Sequence, residues 1–156
     1  MSTMSEAKDN TAVGDLDLAE GFTGCVASAV RQADRRIAAI IDERLREVGL
    51  RGTQLTLLGA VAALGKPSQR ELAEATCTDQ TTLSRNLERL LERGLIDCAE
   101  CDQDRRMRRY ALTPGGRRML LDARPHWKAA QDDIARRLGS DQCAMLRRVA
   151  AALASP

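Results

Sequence analysis

Between Gln80 and Glu88 the sequence QTTLSRNLE sets out side chains that can recognise the edges of nucleic-acid bases. Glutamine can pair with adenine, arginine with guanine, and a threonine methyl can touch a thymine methyl. Leu83, Leu87, Leu90 and Leu91 recur at helical spacing, so they share one face and leave Gln80, Thr81, Thr82, Ser84, Arg85 and Glu88 on or near the other. Alone, such a stretch is more simply the solvated side of an amphipathic helix. The neighbouring elements must decide between the two readings.

A second cluster lies downstream. Arg105, Arg106, Arg108, Arg109, Arg117 and Arg118 are six arginines with no acid between 105 and 121, a local surface for phosphate. A hairpin tip beside a major-groove helix reaches the adjacent minor groove, whose negative potential attracts arginine. Asp104, two residues before Arg106, either holds that guanidinium extended through an ion pair or simply solubilises a turn. Among five cysteines, Cys98 and Cys101 form a C-x-x-C, but residues three apart on an extended strand point to opposite faces. A zinc site would need two more ligands, and the single histidine, His126, is distant in sequence. No metal and no cofactor are expected. Cys77 falls in the turn before the candidate reading helix.

The elements that must position these residues are legible from spacing and punctuation. From Phe22 to Val48 apolar residues recur every three or four positions, which predicts one helix of about seven turns ended by Gly49. Thr53 is placed to cap a second helix through Leu64, with Leu57, Leu58, Val61 and Leu64 inward and Gly65 and Pro67 breaking it. SQRE (68–71) is a capping box opening a short helix to about Thr76, CTD is a turn, and Asp79 caps the helix that Gly94 stops. LIDCAEC (95–101) and MRRYAL (107–112) read as two strands around the charged turn DQDRR. TPGG then opens a helix, kinked at Pro125, that runs to Gly139, and Ser140 caps a last helix with Met145, Leu146, Val149 and Leu153 as its apolar stripe.

Composition narrows the class. A chain of 156 residues supports one domain, and with one Phe, one Tyr and one Trp its core must come from Leu, Ala, Ile and Val, which favours packed helices. No run of 18 apolar residues and no basic-then-apolar leader appear, so a soluble cytoplasmic protein with no membrane partner is expected, its odd number of cysteines reduced. Residues 1–21 carry five acids against one lysine, so the net charge of +2 divides into −4 for this segment and +6 for the rest. One histidine, no nucleophile and base pair and no Gly-rich phosphate loop argue against an enzyme. The apolar excess of the terminal helices calls for a partner chain.

LAEATCTDQTTLSRNLERLLERGLI followed by DQDRRMRRYALTPGG resembles the MarR family of winged helix-turn-helix transcriptional regulators. The order of long helix, helix, helix-turn-helix, wing with a D-x-R tip, LTPxG and two closing helices extends that resemblance over about 130 residues. It implies a mainly α fold with a small β-hairpin wing, a winged helix-turn-helix lobe plus long N- and C-terminal dimerisation helices. The corresponding divisions are an acidic disordered arm (1–15) and one domain (16–156). Within that domain the DNA-binding lobe is 54–112, with helix-turn-helix about 69–93 and wing about 95–112, and 16–48 and 114–154 are the dimerisation helices.

The resemblance further implies a homodimer gripping a palindromic operator in double-stranded DNA, most simply as a repressor. Carried over by position, Gln80 to Asn86 form the reading segment, Arg106 paired to Asp104 enters the minor groove beside Arg105 and Arg108, and Ser68 and Gln69 meet phosphate. Family members release DNA when a small molecule binds or a cysteine is oxidised. His126 and Trp127 are the candidates to line an effector pocket, with helix packing the plainer role for Trp127. Cys25, Cys98 and Cys101 are the redox candidates, against a plain buried thiol for Cys25. A thiol redox protein using Cys98 and Cys101 is the competing function, and a helical module whose wing contacts an acidic protein is a third.

Overall fold

Leucine and alanine at helical spacing turn nearly every apolar stretch of this chain into helix, and tertiary contacts set where each helix begins and ends. The computed structural model describes residues 24–101 and 104–154, with side chains at 24–99 and 108–153. The acidic arm (1–15), Phe22, and the side chains of Cys101, Asp104, Arg105 and Arg106 therefore lie outside the described residues. The order is α1 (Val26–Leu45), a 3-10 turn (Arg46–Val48), α2 (Gly52–Leu64), α3 (Gln69–Thr76), α4 (Gln80–Glu92), β1 (Ile96–Cys101), β2 (Asp104–Leu112), α5 (Pro114–Leu138) and α6 (Ser140–Ala154). This is a mainly helical winged helix-turn-helix fold with long terminal helices. No helix among the described residues is long and apolar enough to cross a membrane.

The chain divides after Arg36 into two units. In the first, the Cys25 carbonyl accepts the amides of Ser28 and Ala29 at 3.0 and 3.1 Å, and Val26 and Val30 are exposed. The second, from Ile37, holds the core. It gathers Leu45, Leu50, Leu57, Leu58, Val61, Leu72, Leu83, Leu87, Leu90, Leu95, Ile96, Tyr110 and Ala123.

Several boundaries differ from the sequence reading for tertiary reasons. The first helix does not run unbroken to Val48. Its last three residues tighten into the 3-10 turn, and Gly49 at φ 65° lets the chain reverse so that Leu50 is buried. Thr53 is not the cap of α2. The Gly52 amide instead donates to Asp42 Oδ1 of α1 at 2.7 Å, and the Arg51 amide to Gln54 Oε1 at 3.1 Å. A carboxylate from a neighbouring helix thus satisfies one donor at the positive end of α2, and Gln54 of α2 itself takes the other. Leu64 is half exposed because α2 ends there. Ser140 is the first residue of α6, and the carbonyl of Gly139 accepts the Cys143 amide. α5 runs through Pro125 as one element.

In the hairpin, Ile96 pairs with Leu112, Cys98 with Tyr110 and Glu100 with Arg108, with a register shift between Glu100 and Cys101. The second strand starts at Asp104, so part of the expected turn is strand. Alternation puts Ile96 and Cys98 towards the core and Asp97 and Ala99 outward. The hairpin is tied to α5 by one threonine. Thr113 Oγ1 donates to the Gly94 carbonyl at 2.7 Å and accepts the Gly116 amide at 2.9 Å, capping α5.

That closeness explains why the second glycine of TPGG has no side chain. A Cβ on Gly116 would stand 2.0 Å from the Leu95 carbonyl oxygen, whereas one on Gly115 meets nothing closer than 3.4 Å. Gly116→Ala is expected to lower stability by about 1–3 kcal/mol through enforced displacement of backbone. Gly115→Ala should be neutral or stabilising by about 0.5 kcal/mol. Urea midpoints of the two variants test this, and equal midpoints would refute the account.

Candidate nucleic-acid interface

The short helix α3 begins at the SQRE capping box. The Glu71 amide donates to Ser68 Oγ at 3.3 Å, while Glu71 Oε2 accepts the Ser68 amide at 2.6 Å and the Ser68 hydroxyl at 2.7 Å. α3 ends at Cys77, whose positive φ of 48° reverses the chain without a glycine. Asp79 then opens α4, with Oδ1 accepting the Thr82 amide at 2.9 Å. Two capped helices separated by three residues make the helix-turn-helix.

Burial sorts α4 into two faces. Leu83, Leu87 and Leu90 are buried and Leu91 is partly so. Gln80, Thr81, Thr82, Arg85, Glu88 and Arg89 are exposed, and Ser84 is half-buried. Asn86, which the sequence reading included in the reading segment, is only 8% exposed. It follows Leu83 by three residues and precedes Leu90 by four, which places it on the leucine side.

The polar face is also fastened to α3. Gln69 Nε2 lies 2.8 Å from Ser84 Oγ and 3.3 Å from Gln80 Oε1. Gln69 therefore holds two residues of α4 and is not a free surface group. Ser68 is committed too, because its hydroxyl proton goes to Glu71 and one lone pair takes the Glu71 amide. Asp79 is held below the usual carboxylate range by hydrogen bonds from the Thr82 hydroxyl and amide. Thr82, exposed, thus spends its hydroxyl on the cap.

The hairpin packs beside the entrance to α3. The Tyr110 amide donates to the Pro67 carbonyl at 2.9 Å, and Ser68 bridges Arg109 through the backbone. Arg109 Nη1 reaches Glu71 Oε2 at 2.7 Å and the Lys66 carbonyl at 3.2 Å. Glu71 is lowered first by the Ser68 amide and hydroxyl, and further by Arg109. Arg108 is exposed. Arg109, grouped by sequence with a phosphate-binding cluster, is instead a strut between wing and capping box. No local rule signals this pairing, since the partners are 38 residues apart. Tyr110 is buried, which pushes its phenol up, with the neighbouring Cys98 thiol adding to the shift.

The remaining candidates do not join this site. His126 Nδ1 lies 3.6 Å from Glu47 Oε2, and Trp127 is about half exposed on α5. Cys25 is exposed, not buried, and sits just before α1; Cys77 is exposed and Cys98 half-buried. Among the described residues no three His, Cys, Asp or Glu side chains are grouped to hold a metal ion.

The sequence model of the MarR family matches residues 48–107. The chain is similar to the M. tuberculosis transcriptional regulator MosR in complex with DNA, at 32% identity and TM-score 0.73, covering 83% of this chain and 93% of that one. It is similar to Bordetella bronchiseptica BpsR, whose structure addresses regulation of DNA binding by 6-hydroxynicotinic acid, at 25% identity and TM-score 0.74, covering 83% and 98%. A MarR mutant from E. coli complexed with operator DNA shares the fold at 18% identity and TM-score 0.76, covering 86% and 98%.

Both caps of the helix-turn-helix rest on depressed carboxylates, which fixes the sign of a pH effect. A carboxylate with a lowered folded-state pKa stabilises fully above its unfolded value, about 4, and loses that contribution as pH falls through the folded value. Replacing Glu71 by Gln and Asp79 by Asn together should lower the urea midpoint at pH 7. The gap from the parent protein should close as pH falls below about 4. Parallel curves across that range would contradict the assignment.

Proposed function

The chain belongs to the MarR family of winged helix-turn-helix transcriptional regulators, and from that premise we propose that it binds a palindromic operator in double-stranded DNA as a homodimer and acts as a repressor. The observation that carries the reading is the outward face of α4. It shows Gln80, Thr81, Thr82 and Arg85 at the start of a helix whose opposite side is locked into the core by leucines. A helix of this kind enters the major groove with its N-terminal residues at the base edges. Arg85 is assigned to guanine, Gln80 and Thr81 to neighbouring bases, and the Thr82 methyl to a thymine methyl.

On this reading Arg108 on the wing neutralises phosphate, and Arg105 and Arg106 are assigned by sequence position to the wing tip that follows the minor groove. Ser68 and Gln69 support the interface from behind, since both spend their polar atoms within the helix-turn-helix. Asn86 is left out of the reading set.

The homodimer reading is supported by α6, whose Met145, Leu146, Val149 and Leu153 are between 42% and 82% exposed in one chain. A row of large apolar residues left to solvent along one helix marks a surface that another chain covers. DNA release is proposed to follow a small-molecule effector bound near His126 and Trp127, the exposed indole offering a planar apolar wall. Oxidation of the accessible Cys25 is the second route. The thiol redox alternative through Cys98 and Cys101 is weaker, because Cys98 lies on a strand facing the core and not at a helix start.

Operator affinity should fall steeply with salt, since each neutralised phosphate adds about −0.9 to the slope of log affinity against log salt. Arg85→Ala should cost about 10- to 100-fold and relax base preference at one position per half-site, while Arg108→Ala should weaken all sequences alike and reduce the slope by about 1. Selection from fragmented genomic DNA followed by salt titration reads both. Absence of duplex binding at low salt would sink the proposal. Val149→Glu should convert the dimer to monomer in sedimentation equilibrium; an unchanged mass would remove α6 from the interface.

A further inference from the structure

Glu71 Oε2 is the meeting point of three donors, two from Ser68 and one from Arg109. It accepts the Ser68 amide at 2.6 Å, the Ser68 hydroxyl at 2.7 Å and Arg109 Nη1 at 2.7 Å, and the same Nη1 donates to the Lys66 carbonyl at 3.2 Å. The first two bonds start helix α3. The last two bring in strand β2 and the segment between α2 and α3. Arg109 is the one charged wing residue among the described side chains that bonds to the helix-turn-helix, and its side chain is 31% exposed.

We propose that Arg109 is a positioning residue for DNA recognition, fastening the wing to the capping-box carboxylate of Glu71 so that wing and reading helix present to DNA as one body. The proposal rests on the DNA-binding reading given above for its functional half. Its structural half stands on the geometry alone.

The connection runs without a break from wing to reading helix. Arg109 holds Glu71, Glu71 holds Ser68, and the next residue, Gln69, holds Ser84 and Gln80 on α4. Beside it, the Tyr110 amide bonds the Pro67 carbonyl at 2.9 Å, and both residues are buried. Two hairpin strands alone are marginally stable, so their orientation depends on what they are fastened to. A guanidinium shared between a carboxylate and a carbonyl fixes direction as well as distance. An arginine so engaged is not available to neutralise a phosphate, which separates Arg109 from Arg108 one residue earlier.

This separation gives the proposal a signature that a phosphate contact would not have. In the full-length protein, Arg109→Ala and Glu71→Gln should each weaken operator binding by about tenfold. The double variant should be no weaker than the worse single variant by more than about twofold, because both remove one interaction. The salt slope should be unchanged in both, whereas loss of a phosphate contact lowers it by about 1. Arg109→Lys, which keeps the cation, should recover most of the affinity. Hydrogen exchange of the free protein supplies a readout independent of DNA: amides of β2 should exchange faster in Arg109→Ala and Glu71→Gln than in the parent. A reduced salt slope in Arg109→Ala, or additive losses in the double variant, would overturn the positioning role. Unchanged exchange in β2 would overturn the fastening itself. If no duplex is bound by the parent protein, the DNA-binding reading fails, while exchange still decides whether the fastening exists.

Discussion

The burial of one leucine face on a thirteen-residue helix is the constraint on which the rest of this structure depends. Leu83, Leu87 and Leu90 of α4 enter a core shared with Leu58 of α2 and Leu72 of α3, and Leu58, Leu72 and Leu90 have no exposed surface. Burying such side chains is worth about 1.5–3 kcal/mol each, far more than any single polar contact on the exposed side. The rotation of α4 about its axis is therefore fixed from within. Every polar residue it offers outward is placed by the leucines it hides, and Asn86 is withdrawn for the same reason that Arg85 is shown.

Polar groups at the surface of the lobe are spent mainly on fastening. The caps at Ser68, Asp79 and Thr113 start three helices, and each cap also touches something beyond its own helix or holds a residue of the exposed face. Thr113 links α5 to the strand that follows α4 through the Gly94 carbonyl, and Glu71 links the wing to α3. Further along α5, Arg44 of α1 donates to Asp133 at 2.6 Å, and Arg136 pairs with the same carboxylate, whose pKa is held down chiefly by Arg44. Arg44 thus ties α1 to α5 by an ion pair, while the leucine core supplies the bulk of the stabilisation.

The same economy separates two classes of arginine. Arg44 and Arg109 are bonded across the fold and serve to hold elements in place. Arg85 and Arg108 are exposed on elements already held, and the bond that Arg108 makes with Tyr110 stays within its own strand. A count of positive charge by sequence cannot make that distinction, because both classes contribute equally to the net charge and only bonding geometry tells them apart.

By itself the sequence determined which stretches are helices and strands, the capping box at Ser68, the cap at Asp79 and the leucine face of α4, because each of these is fixed by periodicity or by groups within a few residues of one another. Its motifs also carried the family resemblance. Only the tertiary structure decided that Asp42 and not Thr53 satisfies the start of α2, that the 3-10 turn after α1 lets Leu50 be buried, and that Arg109 belongs to Glu71. Each of these depends on a partner from another element, and a hydrogen bond or a buried contact between residues distant in sequence leaves no local spacing to read.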